Sequence, residues 1–123
     1  MNKERVFVYG TLKRGYGNWK YYLHGREGVE FVGEATTQGK LYNLGWFPGM
    51  IAGDGIVHGE VFEVPREVRE RLDQLEGHPT HYKRTMVTLG DGSEAQAYIY
   101  QWPENCKNEL PDGVWGDPNG RAV

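Results

Sequence analysis

Four consecutive β-branched or aromatic residues, Val6-Phe7-Val8-Tyr9, run directly into Gly10-Thr11-Leu12-Lys13-Arg14-Gly15. An apolar run of that kind suits a short strand covered on both faces, so it demands structure above and below it. Gly10 removes the side chain where the strand exits, and Gly15 closes the loop. Between the two glycines the backbone N–H groups have no evident ladder partner, and buried donors need acceptors. Such donors can converge on a carboxylate or an oxyanion. Spacing alone favours the other reading, an ordinary glycine turn.

Downstream, Trp19, Tyr22 and Leu23 fall at i, i+3 and i+4, which predicts a short helix with Asn18 as its N-cap. Two strands are expected next, over 29–36 and 39–44. Trp46-Phe47-Pro48-Gly49-Met50-Ile51 is too short for a helix, and Pro48 disfavours a central strand. That segment either lines a pocket or plugs one end of a barrel. Residues 56–64 alternate, with Val57, Gly59 and Val61 on one face, and read as a strand with His58 or Glu60 at an edge. His81–Leu89 and Ala95–Trp102 read as two more strands, joined by a hairpin turn at Gly90-Asp91-Gly92.

The best helix pattern begins at Pro65, with Val68, Leu72 and Leu75 at i, i+4 and i+7 and a stop at Gly77 and Pro79. At about 100° per residue, Glu76 lies about 40° from Leu72, at the border of the apolar stripe. Glu67, Glu70 and Asp73 sit further toward solvent. Glu76 thus faces inward at a helix C-terminus, the unfavourable end of the dipole for an anion. Burial and dipole both favour its protonated form, so its pKa is expected to be raised. A carboxyl tuned in this way can act as a base and then as an acid. A glutamate at the rim, reaching out to water, is the other reading of the same spacing.

The length of 123 residues is that of one domain, 1–123, with a mostly irregular tail over 103–123. In that tail Leu110, Val114 and Trp115 are the expected anchors and the last few residues are expected to be disordered. A net charge of −3 with both signs interspersed gives no electrostatic case for nucleic acid or for an anionic membrane surface. Eighteen glycines, about twice average usage, are spread along the chain and argue for many turns between strands. No apolar run approaches a membrane span, and residues 1–5 carry no signal-peptide pattern. Cys106 is alone, which fits a cytoplasmic location. His78 and His81 lack a second ligand cluster, so no metal is expected, and no cofactor motif occurs.

In chain order the sequence carries V-Y-G-T-L-K-R-G at 8–15 with Asn18 after it, G-K-L-Y at 39–42 and F-P-G at 47–49. It continues with G-E-V-F-E-V at 59–64, L-D-Q-L-E-G at 72–77, H-Y-K-R at 81–84, and Asp112 to Trp115. This ordered set, spread over nearly the whole chain, resembles the gamma-glutamylcyclotransferase-like family, nearest its gamma-glutamylamine cyclotransferase branch. The resemblance implies an α+β fold, a small mixed β-barrel of about five to seven strands flanked by short helices. It implies a cofactor-independent enzyme acting on a small-molecule gamma-glutamyl amide. An amine or amino acid would be released and 5-oxoproline formed. Glu76 would be the catalytic acid/base, and Tyr9, Gly10, Thr11 and Leu12 would bind the glutamyl head. Tyr82 and Arg84 are further candidates for the pocket wall. A gamma-glutamyl hydrolase or amidase, a non-catalytic metabolite-binding module and a small barrel acting as a protein-interaction scaffold are the alternatives. Oligomeric state is not legible in the sequence.

Overall fold

The computed structural model describes residues 3–116. β1 (Lys3–Val8), β2 (Glu30–Asn43), β3 (Pro48–Pro65), β4 (Tyr82–Thr88) and β5 (Glu94–Tyr100) form a five-stranded sheet in the order β2-β3-β1-β5-β4. Neighbours are antiparallel except β1 and β5, which run parallel through Val6↔Gln96 and Phe7↔Ala97. Two helices, α1 (Gly17–Tyr22) and α2 (Arg66–Glu76), flank the sheet, and a short 3-10 turn at Pro103–Asn105 follows β5.

The double-sided apolar run of β1 is explained by its place at the centre of the sheet. Val6 and Val8 pack on one face with Phe62, Val64, Val68 and Leu72, while Phe7 and Tyr9 pack on the other with Val57, Val61, Ala97 and Trp115. The strands expected over 29–36 and 39–44 are one long strand, β2, with register shifts between Phe31 and Gly33 and between Gln38 and Lys40. The second shift falls at Gly39, whose break in the pattern reads in the sequence as an end. β3 likewise begins at Pro48, a first position where the missing N–H disrupts nothing. His58 and Glu60 are not at a sheet edge, because β3 lies between β2 and β1.

The sheet curls without closing into the barrel that the resemblance implied. Its two outer strands meet only at an isolated bridge, Thr37↔Leu89. There the Thr37 hydroxyl donates to the Thr88 carbonyl at 2.8 Å, and the Gly90 N–H donates to the Thr36 carbonyl at 2.8 Å. β4 has seven residues against the fourteen of β2, too few to continue the ladder.

Pro65 is the N-cap of α2 rather than its first helical residue, and Glu67 stands in the first turn, where the dipole favours an anion. In the tail, Trp115 is buried against Tyr16, with ring centroids 5.7 Å apart, and Leu110 packs against the same core cluster. Val114 is half exposed and anchors nothing, because the backbone turns at Gly113 to lie on the Ile56 carbonyl. The expected disorder of the last few residues lies outside the described residues.

Leu72 is fully buried on the inner face of α2. Leu72→Ala should lower the unfolding free energy by about 2–5 kcal/mol in urea denaturation. A loss below about 1 kcal/mol would mean that this face does not hold the helix to the sheet.

Candidate active site

α2 ends where the sequence changes from Leu75-Glu76 to Gly77. Gly77 adopts φ 65° and ψ 36°, a left-handed conformation that glycine takes without a Cβ penalty. The His78 N–H then donates to the Asp73 carbonyl at 2.9 Å and the Gly77 N–H to the Gln74 carbonyl at 3.2 Å. This paired closure satisfies the helix end and makes Glu76 the last helical residue.

Facing Glu76 is the loop that leaves β1. Its glycine is needed at Gly10 for a reason of space: a Cβ there would stand 2.7 Å from Pro48 Cγ and 2.8 Å from Pro48 Cδ. The loop is tied at several points. The Lys13 N–H donates to the Gly10 carbonyl at 3.0 Å, the Trp19 N–H to the Thr11 carbonyl at 3.1 Å, and the Arg14 N–H to Glu60 Oε1 at 2.8 Å. Asn18 does not cap α1, whose N-cap is Tyr16; its amide instead donates to Thr11 Oγ1 at 2.7 Å. The backbone N–H groups of Gly10, Thr11 and Leu12 carry no hydrogen bond to any described residue.

Between the loop and the helix end lies a cavity of about 140 Å³. Its walls are the chain from Phe7 to Leu12, Asn18, Phe47, Pro48, Leu75, Glu76, His81, Tyr82 and Tyr98. Of the residues that the sequence nominated for the site, Glu76, Tyr9, Gly10, Thr11, Leu12 and Tyr82 line this one space. Arg84 does not; its Nε donates to Asp73 Oδ1 at 3.0 Å and its Nη1 to Gln96 Oε1 at 2.7 Å. Asp73, expected toward solvent, is partly buried among Arg69, Arg84 and Tyr98. Of the two histidines, His81 lines the cavity, with its ring 6.0 Å from that of Phe47, whereas His78 Nδ1 accepts the Arg84 N–H at 2.9 Å. Among the described residues no group of three or more histidine, cysteine, aspartate or glutamate side chains is gathered to hold a metal.

No cation or hydrogen-bond donor among the described residues reaches the Glu76 carboxylate, and burial pushes its pKa up to about 7. The phenols around it are neutral donors already in use. The Tyr9 hydroxyl donates to the Tyr98 carbonyl at 2.6 Å and accepts the Met50 N–H at 3.2 Å, and the Tyr82 hydroxyl donates to the Pro48 carbonyl at 2.7 Å. Burial raises both phenols above their usual range. The cavity is thus an apolar space with free backbone donors on one wall and one unpaired, protonatable carboxyl on the other. That combination can move a proton and hold a negative oxygen.

A family model described as gamma-glutamyl cyclotransferase, AIG2-like, matches residues 6–117. The chain belongs to that family. A Methanocaldococcus jannaschii protein provisionally named a gamma-glutamylcyclotransferase is 37% identical, covering 95% of this chain and 99% of its own. The gamma-glutamylaminecyclotransferase of Rattus norvegicus is 32% identical, covering 92% of this chain and 95% of its own. Among solved structures, an AIG2-like protein of Mus musculus superposes with a TM-score of 0.83 at 27% identity, over 100% of this chain and 96% of that one. This gamma-glutamyl cyclotransferase-family chain is accordingly an enzyme with a small-molecule gamma-glutamyl substrate. No helix among the described residues is long and apolar enough to cross a membrane.

Sequence reasoning missed Tyr98 as part of this wall, because it reaches the cavity through the parallel β1–β5 pairing, which leaves no local trace. The segment over 46–51, expected either to line a pocket or to plug a barrel, lines this one through Phe47 and Pro48.

Glu76 is ordinarily expected to titrate near 4.5, and here near 7. Between those values the folded protein holds a proton that the unfolded chain has already released. Its stabilising contribution is therefore complete below about pH 4.5 and is lost as pH rises through 7, by about 3 kcal/mol in all. The unfolding free energy of wild type relative to Glu76→Gln should fall by that order between pH 4 and pH 8 in urea titrations. A pH-independent difference would show an ordinary carboxyl.

Proposed function

We propose that Glu76 is the general acid/base of an intramolecular acyl transfer in which the glutamyl α-amine attacks its own γ-carbonyl. The observation that carries the proposal is the unpaired Glu76 carboxyl, raised to about 7, opposite the loop whose Gly10, Thr11 and Leu12 N–H groups are free. At neutral pH such a group exists in both protonation states, so it can accept and return a proton at little energetic cost.

Ionised Glu76 removes one proton from the substrate ammonium. The neutral amine then attacks the γ-carbonyl, and the carbonyl oxygen becomes an oxyanion. Glu76 returns its proton to the departing nitrogen as the C–N bond breaks. The new ring nitrogen sheds a second proton, the leaving amine departs as an ammonium ion, and Glu76 is ionised again. The products are 5-oxoproline and the free amine or amino acid. The loop N–H groups hold the α-carboxylate or the oxyanion, and preorganised donors of this sort typically contribute about 3 kcal/mol each. Tyr9, Leu12 and Tyr82 bound the space. The nucleophile belongs to the substrate, so alignment is the protein's main task, and effective molarities of tethered nucleophiles reach about 10⁵–10⁸ M.

Glu76→Gln is close to isosteric and should keep the fold, while turnover of a gamma-glutamyl amide falls by about 10²–10⁴. Full activity in the folded variant would remove Glu76 from the mechanism. Reaction in ¹⁸O-water separates cyclisation from hydrolysis: cyclisation gives unlabelled 5-oxoproline, whereas labelled glutamate as first product would favour a hydrolase.

A further inference from the structure

Three phenols line the cavity wall around Glu76, and the third, Tyr98, has its hydroxyl turned to a different kind of acceptor. It donates at 2.7 Å to Asp73 Oδ1, one turn back along α2 from Glu76. Asp73 is itself fixed by Arg69 Nη1 at 2.9 Å and Arg84 Nε at 3.0 Å. Those arginines are held in turn. Arg69 Nε donates to Glu4 Oε1 at 2.9 Å, Arg84 Nη1 donates to Gln96 Oε1 at 2.7 Å, and Gln96 Nε2 donates to the same Glu4 oxygen at 2.9 Å. The contacts close a ring, Glu4–Arg69–Asp73–Arg84–Gln96, that spans β1, α2, β4 and β5.

Resting on the reading of Glu76 as the catalytic carboxyl, we propose that Asp73 is a positioning residue which, locked by this ring, captures the Tyr98 hydroxyl and keeps that donor off Glu76. A ring of two cations, two carboxylates and an amide is more than is needed to fasten a short helix to a sheet. Its geometry leaves Asp73 Oδ1 shared between Arg84 and the phenol that enters the cavity. Burial alone would raise the Asp73 carboxyl; its bonds from Arg84, Tyr98 and Arg69 outweigh that and hold it below its usual range, so it stays an anionic acceptor. Burial, followed by the Asp73 bond, keeps the Tyr98 phenol protonated and thus a donor. A phenol released from Asp73 would share the cavity with Glu76, an unpaired acceptor one turn on along α2, and a donor on a carboxylate favours its ionised form. The base would then be too weak to accept a proton and too acidic to keep one.

The other groups facing Glu76 do not substitute for this device. Tyr9 from the exit of β1 and Tyr82 from β4 donate to backbone carbonyls, and His81 packs edge-on among aromatic rings. β3 and α1 contribute Pro48 and Asn18 to the cavity, neither of them titratable.

The test follows the Glu76 carboxyl by carbon-13 NMR in the unliganded protein, assigned by its loss in Glu76→Gln. Asp73→Ala should lower the titration midpoint by about one pH unit. Tyr98→Phe should leave it within about 0.3 unit, and the double variant should recover most of the shift. A shift that persists in the double variant would assign the effect to the unpaired arginines and overturn the proposal, as would no shift in Asp73→Ala. If Asp73→Ala does not fold, Tyr98→Phe alone decides: a raised midpoint means that the hydroxyl already sits on Glu76, and an unchanged one supports its capture. The titration does not depend on turnover. An active Glu76→Gln enzyme would thus sink the catalytic reading while leaving the capture of Tyr98 to be judged by its own result.

Discussion

The parallel pairing of β1 with β5 is the contact on which the site depends. All other neighbours in the sheet are antiparallel, and this parallel pair spans the longest stretch of chain, joining residues 6–7 to residues 96–97. It places Tyr98 directly beyond the end of β1, where its carbonyl receives the Tyr9 hydroxyl, and it sets β4 and Tyr82 on the same side. Because β1 also pairs with β3, whose far end continues into α2, the helix C-terminus returns over the strand exit. A cavity then forms where three segments distant in sequence stop short of one another.

Close approach makes that cavity rigid. Pro48 sits against Gly10 at a distance no Cβ would allow, and its carbonyl takes the Tyr82 hydroxyl. On the other side Asn18 holds Thr11, and Glu60 holds the Arg14 N–H, with the Arg14 guanidinium 3.6 Å over the Phe31 ring. The loop's own N–H ties come from Lys13 and Arg14, beyond its tip, and leave the N–H groups of Gly10 to Leu12 unspent. A loop fastened at its tip by the Gly10 and Thr11 carbonyls presents the donors there, and that is the useful polarity for a substrate carrying a carboxylate and a developing oxyanion.

Much of this was legible in the sequence because it is local. A strand at 6–9, found over 3–8, and the helix at 66–76 with its glycine stop follow from period and punctuation alone, which put Glu76 at the border of the apolar stripe, open to the interior or to the rim. The family resemblance joined the loop to Glu76, which periodicity had no means of doing. The errors have a common origin in tertiary contact. Gly39 read as a strand end because a bulge and a break look alike in one dimension. Asn18 read as a cap because the same side chain serves either a helix start or a neighbouring loop, and Thr11 was the nearer partner. Asp73 read as solvated because helical geometry put it off the apolar stripe, while the partners that bury it, Arg84 and Tyr98, lie on β4 and β5. The sheet stays open because β4 is half as long as β2, a mismatch that no motif records.

A carboxyl held near pH 7 in an apolar cavity destabilises the fold at neutral pH by about 3 kcal/mol, a large share of the roughly 5–15 kcal/mol that a domain possesses. The strain falls on the last turn of α2, the part of a helix most prone to fray. The left-handed closure at Gly77, the buried Leu72 and the ring through Asp73 all act on that same turn. Ion pairs with this degree of exposure are individually worth little, but a closed set that satisfies each partner's hydrogen bonds also restricts geometry. Stabilising Glu76 directly, with a cation or a donor, would remove the strain and with it the reactive protonation equilibrium. Fastening the turn one step away, at Asp73, anchors the helix end while leaving the carboxyl bare. On the proposed mechanism that separation is what lets one glutamate serve as both base and acid.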